Sequence, residues 1–259
     1  MPALYLPHGG GPSFFMTGER KARYQATEDF LRSVPTLLPA TPSAILICTA
    51  HWETSVPSFT GAAQPELIYD YYGFPPETYQ LQYPAPGQPP LAQQATSLLQ
   101  QAGLPAQVDP HYGWDHGVFI PLKVMYPDAR IPVVAMSLQA SLHPALHCQL
   151  GAALQSLRDQ GVLIVGAGMS YHNLRDFAAN AAASYQFHDW LDAALAHDHA
   201  GRSQHLAQWA SAPGGRASHP REEHLLPLMV ASGAGSDQPA RCIWRGAVGP
   251  TCLGAWAFD

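Results

Sequence analysis

The chain has 259 residues, of which 47% are hydrophobic and 12% charged, with a formal net charge of −6. Such a composition supports a sizeable core and excludes a disordered chain, which pairs high charge with low hydrophobicity. Lys and Arg form no cluster, so nucleic acid is excluded as a partner. No apolar run approaches the roughly 20 residues that cross a bilayer, and no secretory-type leader is recognisable. Cys48, Cys148, Cys242 and Cys252 show neither zinc-finger spacing nor a disulfide framework. The expectation is a cytoplasmic protein with no membrane partner, a monomer or small homo-oligomer.

Taken in order, residues 2–6 predict a first strand ending in HGGGP, and residues 19–33 predict an amphipathic helix stopped near Pro35. SAILICTA (43–50) is a continuous apolar run, the pattern of a central strand buried on both faces. Residues 56–69 suggest a strand or hairpin. Residues 69–87, rich in Tyr, Pro and Gly, read as a loop folded over a site. A helix is expected over 88–102, opened by Pro89 and Pro90 and closed at Gly103. Residues 111–129 begin as a loop and become a short helix, and 131–138 form a strand. Residues 143–161 predict a helix with Gly161 past its end. VLIVGAG (162–168) is a strand, 185–211 carry one or two helices, and 219–232 read as one helix. RCIWRGAV and TCLGAWAF complete the chain as a strand pair. The alternation predicts an α/β fold: one domain over 1–259 with a central mixed sheet flanked by helices.

There are 13 histidines, as many as all Lys and Arg together. His8, His51 and His172 each follow a predicted buried strand, and His224 stands in HPREEHLLPL. Strand ends in an α/β fold meet on one rim, where ligands bind. Neutral imidazoles gathered there suit Zn or Fe(II). Glycines after His8 let backbone approach a ligand closely; a phosphate cradle is the rival use, without the Walker spacing or its Lys. Trp52 is expected to wall the pocket, and Glu53 is either a carboxylate behind the ligands or a solvated side chain. His116, in GWDHGVFIPL, reads as a substrate-contacting or proton-relay group or as a plain loop residue; its neighbour Asp115 points away from the same ring. His219 looks like a helix-entry residue. His143 and His147, four apart, form a second possible metal pair without a third ligand nearby. No GxSxG elbow exists, which disfavours a hydrolase triad. Lys123 and Arg175 are the cations nearest the motifs.

PHGGGPSF, ILICTAHWE, DHGVFIPL, GAGMSYHNL and HPREEHLLPL, in this order across residues 8 to 228, resemble the class III (LigB-like) extradiol ring-cleavage dioxygenases, the DOPA-dioxygenase type above all. The resemblance implies His8, His51 and His224 as metal ligands, with His224 where the protocatechuate-cleaving branch has Glu. It implies His172 as the acid/base group beside the metal and His116 as a histidine contacting the substrate. It further implies Fe(II) for activity, Zn(II) as a metal the all-imidazole set also takes, and a small aromatic diol with O₂ as substrates. A zinc-dependent hydrolase on the same site and a non-catalytic LigB-like binding protein are the alternatives.

Overall fold

The structure is a computed structural model that describes residues 1–177 and 179–259. Eight strands form one mixed sheet in the order β4-β3-β5-β2-β6-β1-β8-β7. The four central strands, β5 (Val133–Gln139), β2 (Ala44–Thr54), β6 (Val162–Gly168) and β1 (Ala3–Pro7), run parallel. β3 (Ser58–Thr60) lies antiparallel to β5 and carries β4 (Gln107–Asp109) outside it. At the other edge β8 (Thr251–Phe258) is antiparallel to β1 and pairs with β7 (Arg241–Val248). The expected α/β fold with a mixed sheet is therefore what the chain adopts.

Both faces of the sheet are covered because the central strands are apolar on both sides. Tyr5, Leu46, Cys48 and Ile164 pack on one face, against α3 (Pro89–Gln101), α5 (Pro144–Leu154), α6 (Ala181–Leu195), α7 (His199–Ala207) and α9 (Leu226–Gly233). Leu4, Leu6, Ile45, Ile47 and Val165 pack on the other, against α2 (Gln25–Ser33) and α4 (His116–Met125). Alternate residues of one strand serve opposite layers, as the two-residue period of a strand requires.

Several elements depart from expectation. The helix expected over 19–33 is two, α1 (Gly18–Arg23) and α2, meeting at Tyr24. The strand expected to end at residue 50 runs on to Thr54, so His51 lies within β2 rather than after it. Three-residue β4 has too short a pattern to be recognised, and within the segment 56–69 the strand is confined to Ser58–Thr60, β3. The helix expected over 143–161 tightens into a 3₁₀ turn from Gln155 to Gln160, and Gly161 closes it with φ +81°. The helix expected from 219 begins only at Leu226. Pro227 stands in its first turn, the one helical place where a missing N–H costs nothing. His219 and His224 therefore precede the helix, and helical spacing does not govern where they point.

Register brings two of the histidines level. Pro7 pairs with Gly168, and Thr49 pairs with Ala167. Continuing both ladders sets His8, Met169 and His51 side by side on neighbouring strands β1, β6 and β2. The His224 segment then caps β6. The Met169 N–H donates to the His224 carbonyl at 3.1 Å, and the Tyr5 hydroxyl donates to the same oxygen at 2.9 Å. This close approach needs the glycines of β6. A Cβ at Gly168 would stand 2.3 Å from the His224 carbonyl oxygen, and one at Gly166 2.1 Å from that of Pro227. Gly168→Ala should destabilise the fold by about 1–3 kcal/mol, the usual cost of overpacking. It should also lower metal retention, because it pushes the His224 segment away. Denaturant unfolding and metal content measured together test this.

Candidate active site

His8, His51 and His224 converge. Their ring centroids lie 4.7, 5.2 and 5.0 Å apart, a nearly equilateral triangle. One nitrogen from each falls within 4.8 Å of the others. His8 and His224 are 2% and 5% exposed. Among the described residues, neither ring nitrogen of His8 has a hydrogen-bond partner. Two orphaned nitrogens on a buried ring are costly unless a ligand takes one of them.

Carboxylates orient the other two rings. His51 Nδ1 donates to Asp115 Oδ1 at 3.3 Å, and His224 Nδ1 donates to Glu223 Oε1 at 3.0 Å. With both Nδ1 atoms as donors, each Nε2 carries a lone pair, and these face each other at 3.1 Å. Two lone pairs repel at that distance, whereas ligands at about 2.1 Å from one ion are separated by about 3.0–3.4 Å. The donor set thus fits a divalent ion of the Zn or Fe(II) class, held by His8, His51 and His224.

Electrostatics agree with neutral ligands at two of the three positions. Burial holds His8 and His224 well below the usual imidazole range, and neighbouring histidines add to the effect. For His51, burial pulls downward, but the hydrogen bond and charge of Asp115, with Asp70 and Glu223, carry the net shift upward.

Asp115 is fully buried and serves two purposes. It caps α4 by accepting the Gly117 N–H at 2.9 Å, and it also accepts from Thr49 Oγ1 at 2.7 Å and the Tyr112 hydroxyl at 3.1 Å. In the sequence Asp115 stands only beside His116; its service to His51 arises from a contact across 64 residues. Asp115→Asn keeps an acceptor for the cap but removes the charge behind His51. Metal affinity should fall roughly 10–100-fold with little loss of stability. A chelator-competition titration beside a thermal melt checks both halves.

His116 and His172 flank the triangle. His116 stacks on His51 at 3.9 Å, and His172 stacks on His224 at 3.3 Å. Asp70, which the sequence did not single out, accepts from both the His116 N–H at 2.9 Å and its Nδ1 at 2.8 Å. The Glu223 carboxylate lies 3.7 Å from His172 Nδ1. Arg221 bridges Glu53 at 2.7 Å and Glu223 at 3.2 Å. Glu53 is thereby an anchor behind the His224 side of the site. In HPREEHLLPL the Arg and second Glu thus have defined partners, a signal that becomes readable only when residues 53 and 172 are placed beside them.

A cavity of about 360 Å³ opens on this group. All five histidines line it, with Tyr71, Tyr72 and Phe74 from the aromatic loop and Met169, Leu174 and Phe177 from the segment after β6. The loop is built by its own contacts: the Tyr69 hydroxyl donates to Leu81 O at 2.5 Å and the Tyr71 hydroxyl to Thr78 O at 2.6 Å. The glycines after His8 border the cavity, but their bareness answers to side chains. A Cβ at Gly9 would meet the Phe14 ring at 2.5 Å, and one at Gly10 the Tyr24 hydroxyl at 2.3 Å.

Four expectations need correction. Trp52 does not line this cavity; it stacks flat on Tyr112 at 3.9 Å. His219 is no helix-entry residue but a fully buried one, donating to Ser170 O at 3.1 Å between Phe187 and Trp209. His147 is buried too, accepting from the Gln139 N–H at 3.1 Å, which gives it a structural use. The cation at the cavity is Arg20, missed in the sequence; Lys123 donates instead to Gln82 O, and Arg175 borders a neighbouring cleft. Arg20 Nε donates to Ser13 Oγ at 3.0 Å, and its guanidinium lies 4.6 Å from the Phe74 ring centre.

Among the described residues no helix is long and apolar enough to cross a membrane. The profile of the catalytic LigB subunit of aromatic ring-opening dioxygenases matches residues 2–248. A dioxygenase of Hapsidospora irregularis named tasH is 38% identical, over 92% of this chain and 79% of its own length. Proteins named 4,5-DOPA dioxygenase extradiol are also similar. That of Mirabilis jalapa is 36% identical over 92% of this chain and 89% of its own, and that of Escherichia coli K12 is 35% identical over 92% and 86%. A crystal structure of an uncharacterized Escherichia coli K12 protein superposes over the whole of both chains, with a TM-score of 0.81 and 31% identity. This chain, with five histidines gathered at the strand ends, belongs to the LigB family and is an extradiol ring-cleavage dioxygenase, an oxidoreductase.

Proposed function

We propose that the chain opens the ring of a catechol, DOPA-like in class, beside its diol, on an Fe(II) ion held by His8, His51 and His224. The triangle of imidazole nitrogens on the floor of a cavity walled by aromatic side chains carries this reading. The three-imidazole set also accepts Zn(II), so the purified protein is expected to hold either metal. Iron bound there would acidify the hydroxyls of a ligated diol and would pass electrons from that diol to O₂.

The remaining work falls to side chains of the chain. His172 stands at the cavity wall beside His224 and takes the diol proton at its ring nitrogen, returning it as the ring opens. His116 gives its Nδ1–H to Asp70, so in the neutral ring Nε2 is an acceptor for a substrate hydroxyl. Once protonated, the same ring donates to negative charge on oxygen, and Asp70 stabilises that imidazolium. Tyr71 and Phe74 cover the aromatic ring and keep water from the reacting centre. Arg20 offers a positive charge to an acidic side chain on the catechol.

The test is anaerobic reconstitution with Fe(II), then addition of catechols, with and without a carboxylated side chain, and air. Oxygen consumption with a yellow ring-opened product is expected for iron-loaded protein and not for zinc-loaded protein. No oxygen uptake with any catechol defeats the reading; ester hydrolysis by the zinc-loaded protein alone would replace it with a hydrolase.

A further inference from the structure

A second cluster of metal-binding side chains lies away from the cavity, where α6 crosses the C-terminal hairpin. His188 and Asp192 stand four apart on α6, which puts them on one face of the helix. Cys242 comes from β7, the edge strand of the sheet. One donor atom from each residue lies within 4.8 Å of the other two. His188 Nε2 and Asp192 Oδ2 are 3.3 Å apart, the separation of two ligands at about 2.1 Å from one tetrahedral ion.

The His188 ring points to a ligand independently of that spacing. It is 1% exposed, and among the described residues neither of its nitrogens has a hydrogen-bond partner. It packs over Gly254, where a Cβ would stand 2.5 Å from the ring. It also lies against Trp256, whose ring centre is 5.0 Å away. The Trp256 Nε1–H donates to Asp192 Oδ1 at 2.7 Å, which fixes the carboxylate and leaves Oδ2 turned to His188. An outer hydrogen bond of this kind accompanies metal-bound carboxylates. The nearby cation Arg245 is held by Asp189 at 2.8 Å.

We propose that His188, Asp192 and Cys242 form a second metal site, which takes a divalent ion of the zinc class with thiolate, imidazole and carboxylate ligands. Cys242 is exposed, so the fourth position opens to solvent and holds water. Binding releases one proton from the Cys242 thiol, which otherwise donates to Trp244 O at 3.5 Å. The ion joins α6 to the edge hairpin. α6 begins at Ala181, shortly after the segment that carries His172, Leu174 and Phe177 to the cavity. The competing arrangement is an ion pair of protonated His188 with Asp192. Burial pulls the ring's pKa down, but Asp192 and the thiols of Cys242 and Cys252 push it up to about 11. That pair supplies one acceptor within reach, yet gives neither ring N–H a well-directed hydrogen bond.

Cobalt(II) titration of the full metal-free chain separates the two arrangements and the two sites. The three-histidine centre contains no thiolate, so a thiolate-to-cobalt charge-transfer band can arise only where a cysteine binds. The wild type should take up two cobalt ions per chain and show that band in the near ultraviolet. Cys242→Ser and Asp192→Asn should each take up one ion; the serine variant should lose the band while ring-cleavage activity with Fe(II) persists. Cys242 is exposed on an edge strand, so its replacement by Ser leaves the fold intact. Uptake of a single ion by the wild type with no thiolate band, or a band that survives in Cys242→Ser, overturns the proposal.

Discussion

His224→Ala is expected to fold normally, to retain no stoichiometric metal, and to open catechol rings on the order of 10³-fold more slowly, about 4 kcal/mol in the transition state. Removing an outer hydrogen-bond partner from a metal ligand costs roughly 10–100-fold in affinity or activity, and removing the ligand itself should cost more. The fold should survive because the segment is held through the His224 backbone carbonyl, which Met169 and Tyr5 bond. Neither contact involves the imidazole. Metal analysis of the reconstituted variant, a thermal melt and oxygen-electrode rates decide it. His224→Glu, which restores an anionic ligand, should recover metal binding. Full metal content in the alanine variant would remove His224 from the ligand set.

His172→Ala should separate chemistry from binding. Its ring stacks on His224 at 3.3 Å, and its donor atom groups with those of Glu223 and His224 rather than with those of His8 and His51. Turnover is expected to fall by roughly 10²–10⁴-fold, the range for a lost general acid–base group, while metal content stays at the wild-type level. Loss of metal together with activity would make His172 a fourth ligand instead.

Five expected histidines lie around one cavity, yet the groups that tune them went unrecognised for different reasons. Asp70 sits in an aromatic loop 46 residues before His116, with no periodic pattern to link the two. Asp115 was visible beside His116, but its side chain turns to His51 across 64 residues. Glu223 and Arg221, to which the sequence assigns no role, gain one only when Glu53 and His172 stand beside them. Carboxylate–imidazole pairs are long-range contacts, and a local pattern carries no information about them. The helix expected from 219 erred for a local reason, since Pro227 fixes the first turn and was read as interior to the helix.

The sequence by itself determined which segments become buried strands, because continuous apolar runs such as SAILICTA and VLIVGAG leave no polar face for solvent. It also determined that His51 and His172 closely follow those runs, and so that imidazoles were available to gather on one rim. Only the tertiary structure decided which imidazoles meet, which nitrogen each presents and what stands behind it. Strand order and register set His8 level with His51, and bare glycines on β6 admit the His224 backbone. These choices rest on ångström-scale fit between segments more than a hundred residues apart, and hydrophobic periodicity does not encode fit at that scale.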